Sequence, residues 1–297
     1  MSEWLIVISL IAALGGNLLK KYYTNNASGG LTAVFLYNAI VGVVSAVILL
    51  AWGGIAQVSL FTLLLGLVFG LVTTVQTVTM LKALQIGPMS YTTLITSFST
   101  LIPTLSGALF FDEKIEIAHI IGIVLMLISF FCAVEKGTDE KKVSVRWLVF
   151  CLIAFLCTGG IGVMQKIHQS SVYKDELNAF LVFAFAVSFL FSSVMTVVCG
   201  KREKTALLPT TEQGKINWLL LGGLVLAGCT VAVNNKLNLY LSGVMDSAVF
   251  FPIVNGGGLV LTTLGAVLIF KEKLSIKQWC GVIIGILSVI LLCNPFA

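Results

Sequence analysis

Two stretches of the chain match each other: Glu113-Lys114-Ile115-Glu116-Ile117-Ala118-His119-Ile120-Ile121-Gly122 and Glu272-Lys273-Leu274-Ser275-Ile276-Lys277-Gln278-Trp279-Cys280-Gly281. At a constant offset of 159 residues, the Glu-Lys pair, one isoleucine and the final glycine coincide without a gap. The match continues to Ser129 and Ser288. Self-similarity at a fixed offset indicates that the chain contains a duplicated unit.

The composition decides where this duplicated unit folds. Of the 297 residues, 58% are hydrophobic and 10% are charged, whereas soluble domains are about half apolar and about a quarter charged. A helix of about 20 apolar residues crosses the hydrocarbon core, where no water can satisfy the backbone. The sequence therefore predicts an integral membrane protein whose main partner is the lipid bilayer.

Apolar segments of this length divide the chain into two sets of five. A polar linker at 135–145 separates a first five-helix repeat at 1–134 from a second at 146–297. Apart from this linker and Gly200–Asn217, the loops are short, so the sequence leaves no room for a soluble catalytic or nucleic-acid-binding domain. The predicted helices span Trp4–Tyr22, Thr32–Trp52, Leu60–Lys82, Pro88–Phe111, Ile115–Val134, Arg146–Lys166, Leu177–Cys199, Trp218–Tyr240, Ser247–Phe270 and Leu274–Cys293.

An odd number of crossings per repeat makes the second copy enter the membrane from the opposite side. We therefore predict an all-α integral membrane protein with ten transmembrane helices, arranged as two inverted five-helix repeats around a central cavity. Many secondary transporters share this arrangement and bind substrate where the repeats meet.

Ten helices in two copies, each closing with Glu-Lys and a glycine-bearing helix, resemble the drug/metabolite transporter superfamily, specifically its EamA-like branch. The resemblance covers essentially the whole chain. It implies a carrier of metabolites or drugs that works by alternating access and holds no cofactor.

The positive charges are distributed unevenly between the two membrane sides. Of the 18 Lys and Arg residues, 14 follow helices 1, 3, 5, 7 and 9, and the other side has Lys114, Lys166, Lys174 and Lys236. The positive-inside rule then places both termini outside the cytoplasm, whereas the family resemblance implies cytoplasmic termini. The net charge of +5 is explained by loops that face the cytoplasm and anionic lipid, without a nucleic-acid partner. The expected location is a bacterial plasma membrane.

Polar residues inside the helices are the candidate substrate ligands, because in lipid they must face protein or a water-filled path. Helices 4 and 9 carry matching polar positions: at an offset of 158, Ser97 pairs with Asn255 and Thr104 with Thr262, and Thr100 lies between the helix 4 pair. The alternative is that these side chains only hydrogen-bond between helices. Single positions on other helices complete the candidate set: Asn17, Asn38, Gln76 and Asn234.

Glycine and proline mark two further expectations. Pro252 and Gly256-Gly257-Gly258 in helix 9, with Pro103 in helix 4, predict an interrupted helix near the midplane. Close packing is the alternative, and it is the expected role of Gly66-xxx-Gly70.

Four ionisable residues are candidates for gating or coupling: Lys20, Lys166, Lys236 and Asp246. Lys20 and Lys166 correspond when Gly16 is aligned with Gly162. The alternatives are lysines that snorkel to the interface and an aspartate stabilised by a helix N-terminus. His119 and His168 have no metal-ligand spacing with another His, Cys or carboxylate, so no metal site is expected.

The leading hypothesis is a secondary transporter of a small polar or amphipathic metabolite, with a proton as the candidate coupling ion. An organic-anion or phosphometabolite exchanger, which would place Lys82, Lys166 or Lys236 in the cavity, and a multidrug exporter are the alternatives. A membrane scaffold is the non-transporter alternative. An enzyme is not expected, because no embedded His/acid or Ser/His arrangement could do acid/base work. No prediction of oligomeric state follows from the sequence.

Overall fold

The computed structural model describes residues 2–27, 30–55, 57–86, 92, 95–133, 144–205, 208–209, 216–270 and 275–292, and helices joined by loops and turns make up this part of the chain. Ten helices lie in these ranges, as predicted, and helix α4 contains a 3-10 turn at Phe98–Thr100. The helices are α1 Ser2–Asn26, α2 Leu31–Gly53, α3 Leu60–Ile86, α4 Ile95–Phe110, α5 Ile117–Ala133, α6 Val145–Gln169, α7 Leu177–Glu203, α8 Trp218–Val244, α9 Ser247–Phe270 and α10 Ile276–Leu292.

Length and composition suit these helices to a bilayer. Helices α2, α3, α6, α7 and α8 are long and apolar enough to cross a membrane, and each of the five others contains a shorter apolar stretch of 10–17 residues. Large apolar side chains face outward along them, such as Leu64 and Leu71 on α3 and Val194 and Val198 on α7. An outer surface of this kind matches hydrocarbon, while the backbone polar groups are satisfied within the helices.

The helices pack mainly across the two halves of the chain. Helix α2 packs on α7, α5 on α10 and α4 on α9, while α1 packs on α8 and α3 on α6. If the halves correspond, α1 is the counterpart of α6, α2 of α7, α3 of α8, α4 of α9 and α5 of α10. Replacing every helix by its counterpart turns the α1–α8 pair into the α6–α3 pair and leaves the other three pairs as they are. The packing thus has an internal two-fold regularity.

Two reciprocal hydrogen bonds join α5 and α10. The Ser129 hydroxyl donates to the Gly281 carbonyl oxygen at 2.7 Å, and the Ser288 hydroxyl donates to the Gly122 carbonyl oxygen at 2.7 Å. A residue late in each helix therefore meets a residue early in the other, so α5 and α10 are antiparallel. All four residues belong to the matching positions of the duplicated stretch.

Helix α9 is continuous, so the predicted interruption at its glycines is wrong. A Cβ atom at Gly256 would overlap the Met126 side chain of α5, which shows that this glycine serves close packing. Pro252 lies in the second turn of α9 and removes one backbone donor there. The irregularity lies instead in α4, where the 3-10 turn at Phe98–Thr100 precedes Pro103. Short 3-10 segments inside helices are common at hinges.

Candidate functional site

A cavity of about 550 Å³ lies between the two halves of the chain. Eight helices line it, with α5 and α10 absent from the described lining. The volume falls within the range of about 300–1,000 Å³ that small-molecule sites occupy. Its described amide side chains are Asn17, Asn38, Gln76, Asn234, Asn238 and Asn255.

Seven predicted site residues line this cavity together. They come from α1, α2, α3, α4, α8 and α9, so the packing of the halves gathers side chains that are far apart in sequence. The seven are Asn17, Lys20, Asn38, Gln76, Ser97, Asn234 and Asn255.

The remaining hydroxyl candidates lie behind the cavity wall or outside the description. Thr100 is buried, and its hydroxyl accepts a hydrogen bond from the Asn255 amide at 3.2 Å. Thr104 is buried too, and its hydroxyl has no partner within the described residues. Thr262 lies on α9, and its side chain is outside the described part. The bond between Asn255 and Thr100 connects α9 to α4 beside the 3-10 turn.

Two of the charged candidates also lie away from the cavity lining. The Lys236 ammonium donates to the Asn178 side-chain oxygen at 3.2 Å and lies 4.2 Å from the centroid of the Trp52 ring. An ammonium at this distance interacts favourably with the indole face. Asp246 is exposed and immediately precedes α9, where its carbonyl oxygen accepts the backbone N–H of Val249.

Lys166 is the fourth charged candidate, and it forms a buried ion pair with Glu113. The Lys166 and Glu113 side chains are 8% and 7% exposed. The other Glu113 oxygen accepts the Ser247 backbone N–H at 2.7 Å, and the Lys166 ammonium donates to the Met245 carbonyl oxygen at 3.2 Å. Glu113 thus caps the N-terminus of α9, where a negative charge is favourable. The pair ties the α4–α5 connection and the end of α6 to the α8–α9 turn.

Lys20 and the Glu113–Lys166 pair lie at opposite ends of the cavity. Ser9 on α1 donates to the Asn234 side chain of α8 at 3.0 Å and also to Asn238, whereas Gly16 lies beside Thr230. Helices α1 and α8 are therefore antiparallel. From Ser9, the chain direction of α1 leads to Lys20 at one end of the cavity. From Asn234, the chain direction of α8 leads to Met245, beside the ion pair, at the other end.

The described cavity wall has one lysine and no acid. Lys20 lines it, and Lys82, Lys166 and Lys236 are not part of the described lining. Lys20 also has no carboxylate partner among the described residues, in contrast to Lys166 with Glu113. Among the described side chains, no group of three or more His, Cys, Asp or Glu could hold a metal ion.

Some residues that line the cavity were not among the site residues predicted from the sequence. Thr230 precedes Asn234 by one helical turn and shares its face of α8, so the spacing itself was a usable signal. Tyr37 is adjacent to Asn38 and lines the cavity with it. Ser9 fixes Asn234 and Asn238 from α1. A single buried serine has no pattern that distinguishes it from an ordinary helix contact.

Long apolar helices with a cavity between the two halves of the chain are the architecture of an integral membrane protein. Residues 3–134 match the EamA-like transporter family. This match assigns the first half of the chain to that family and confirms the resemblance to the drug/metabolite transporter superfamily. Members of the family are multi-pass membrane proteins that act as transporters rather than as enzymes.

Two further proteins are similar to this chain. A Haemophilus influenzae protein described only as an uncharacterized protein is 25% identical over 192 residues, which span 64% of this chain and 62% of that protein. The chain thus matches less than two thirds of that relative's length. A protein of known crystal structure has a TM-score of 0.73 at 14% identity, with 98% of this chain and 95% of that chain covered. At this identity the likeness concerns the fold alone.

Proposed function

We propose that the protein is a secondary transporter that moves a small polar or amphipathic metabolite by alternating access between two inverted five-helix repeats. The observation that carries this proposal is a polar cavity between the halves that includes Lys20 and stops short of the Glu113–Lys166 pair. A cavity blocked at one end by an ion pair is what one state of a carrier requires.

The inverted arrangement is supported by the packing. When each helix is replaced by its counterpart in the other half, the packed helix pairs remain the same set. The reciprocal bonds from Ser129 to Gly281 and from Ser288 to Gly122 run between antiparallel helices at matching positions. Antiparallel equivalents are expected when the second repeat enters the membrane from the opposite side.

The closed end is about two helical turns from the cavity. Thr158 is the lining residue of α6, and Lys166 lies eight residues further along that helix, which corresponds to about 12 Å. On α9, Ser247 precedes Val254 by seven residues, or about 10 Å. Rocking of one half against the other would break the ion pair and open this end.

The side that the Lys20 end faces follows from the loop charges. Because 14 of the 18 Lys and Arg residues follow odd-numbered helices, the Lys20 end is assigned to the cytoplasm and both termini to the opposite side.

The cavity chemistry favours a polar metabolite over the alternatives. Its described amides and hydroxyls can bind donors and acceptors of a small solute, and Val41, Phe185 and Leu259 add apolar surface, so the lining suits a polar or amphipathic solute. A phosphometabolite exchanger would require several cations in the cavity, and the described lining has Lys20 alone. A membrane scaffold has no need of a polar cavity.

A thermal-shift screen of the purified protein tests this proposal. The panel contains amino acids, nucleobases, sugars, polyamines and phosphorylated metabolites, and saturable stabilisation by one class is expected. A ligand at about 100 times its Kd adds roughly 2.7 kcal/mol to the stability of the folded state. Counterflow of that ligand into proteoliposomes should follow. A Ser97→Cys protein that resists membrane-impermeant thiol reagents from both sides would contradict the accessible cavity.

Replacing Asn255 with alanine should impair transport while the protein stays folded. Asn255 lines the cavity and bonds to Thr100, so the substitution removes one neutral hydrogen-bonding group, worth about 1 kcal/mol or roughly fivefold in binding. The matched control is Asn235→Ala, because the Asn235 amide bonds to the Val231 carbonyl of its own helix, outside the described lining. Equal transport kinetics for the two variants would remove Asn255 from the site.

A further inference from the structure

Lys20 and its counterpart in the second half have different surroundings. Lys166 is buried and neutralised by Glu113, and its ammonium also donates to the Met245 carbonyl oxygen. Lys20 lines the cavity, and no described carboxylate pairs with it. Two lysines that correspond when Gly16 is aligned with Gly162 thus differ in their counter-charge: Lys166 has one and Lys20 has none among the described residues.

A negative charge beside the Lys20 ammonium would be favourable. A charged side chain within a membrane protein is costly unless it faces water or an ion partner. Lys20 faces the cavity, and the described lining offers it no Asp or Glu. The group that enters the cavity is therefore in a position to supply the missing negative charge.

The neighbouring side chains also offer donors. Asn38 is 8% exposed and lines the cavity, and its amide nitrogen has no hydrogen-bond partner within the described residues. Asn17 precedes Lys20 by three residues on the same face of α1, and it lines the cavity too. Donors from two helices, one of them charged, suit a ligand group that only accepts, such as a carboxylate.

We propose that the transported substrate carries a carboxylate and that Lys20 is its counter-charge in the cavity. The inference rests on the proposed transport function and narrows its substrate class to small monoanionic carboxylates. Short hydroxy and keto acids are of this class. One lysine with neutral donors balances a single negative charge, whereas a dianionic phosphate would leave one charge uncompensated. The amides Asn234 and Asn255, further along the cavity, bind the remainder of the substrate.

The test compares acids with their carboxamides on the purified full-length protein. The probes are lactate and pyruvate, each beside the matching carboxamide, and the readout is the ligand concentration that gives half-maximal thermal stabilisation. Wild type should bind the preferred acid about 10- to 100-fold more tightly than its amide, which is the range of a charge-assisted hydrogen bond. The same acid should drive counterflow in proteoliposomes, and its amide should not.

Substitutions at Lys20 assign the preference to this residue. Lys20→Gln should weaken acid binding by about 10- to 100-fold and leave amide binding nearly unchanged, whereas Lys20→Arg should retain the preference. Lys201→Gln is the matched control, because Lys201 is exposed at the end of α7 and the variant has the same change in net charge.

Two outcomes would overturn the inference. The first is an acid preference that survives in Lys20→Gln, and the second is saturable binding of a panel compound without a carboxylate while every acid fails. In the second case transport of that compound would leave the proposed function standing. A protein that no compound stabilises, and whose Ser97→Cys variant resists labelling from both sides, would remove the transport proposal together with the inference.

Discussion

Replacing Lys166 with methionine is expected to lower the free energy of unfolding by about 3–5 kcal/mol, which is the usual cost of breaking a buried ion pair from one side. Methionine nearly fills the volume of the lysine stem, so the effect comes from the charge that remains. Glu113 would stay buried with the Ser247 N–H and hydroxyl as its described partners. Glu113→Gln should also destabilise the protein, because the Lys166 ammonium would then keep the Met245 carbonyl as its described partner.

The double variant separates the ion pair from the packing around it. Because removing both charges leaves no uncompensated ion, Glu113→Gln with Lys166→Met should be more stable than Lys166→Met alone. Unfolding is measured in detergent by denaturant titration, with Lys201→Met as the exposed control, which should change stability by no more than about 0.5 kcal/mol. A Lys166→Met protein as stable as this control would contradict a structural role for the pair.

The same variants bear on access to the cavity. If the pair seals the end opposite Lys20, then Lys166→Met should raise the reactivity of a Ser97→Cys side chain toward an impermeant reagent added on the Lys166 side. The Lys201→Met background should leave that reactivity unchanged. Labelling that is equal in both backgrounds would assign the pair to stability alone.

Sequence reasoning predicted the helices because each depends on local composition. The predicted and observed starts coincide at Leu177 for α7 and at Trp218 for α8, since polar residues end abruptly there. The observed ends lie further on, at Glu203 and Val244. Helices continue past the apolar run because water or capping groups satisfy their last backbone carbonyls.

The continuity of α9 was not predictable from the same local rules. Three consecutive glycines weaken an isolated helix, but Gly256 allows the Met126 side chain to approach the backbone of α9. Tertiary packing thus offsets the local preference. The turn at Phe98–Thr100 carries no glycine run, and its signal in the sequence is Pro103, which lacks the N–H that would bond to the Ser99 carbonyl oxygen in an α-helix.

The cavity was partly predictable because polar residues inside a membrane helix must face protein or water. Asn17, Asn38 and Asn255 satisfy that rule and line the cavity. Thr104 satisfies it equally and is buried in packing, so polarity does not distinguish the two environments. Glu113 neutralises Lys166 because the α4–α5 connection, the end of α6 and the α8–α9 turn lie together. These segments come from both repeats, so the pairing could not be predicted from the sequence of either repeat alone.

Gly70 on α3 is expected to tolerate no larger residue, because it lies against the backbone of α7. A Cβ atom there would overlap the Ala184 carbonyl oxygen, and a Cβ at Gly66 would come within 3.1 Å of the Phe180 carbonyl oxygen. These contacts agree with the close packing predicted for Gly66-xxx-Gly70. Backbone atoms cannot rotate away as side chains do, so Gly70→Ala must separate α3 from α7.

The expected cost of Gly70→Ala is about 1–3 kcal/mol of unfolding free energy, which is typical of overpacking a well-packed interior. Gly160→Ala on α6 is the matched control, because a Cβ there would meet no atom within 4 Å. That control should stabilise the protein by about 0.5–1 kcal/mol, since alanine loses less backbone entropy than glycine on entering a helix. The two substitutions add the same methyl group, so their opposite signs isolate the contact between α3 and α7. Equal effects at both positions would show that these helices do not approach closely, and would remove the cross-half packing on which alternating access depends.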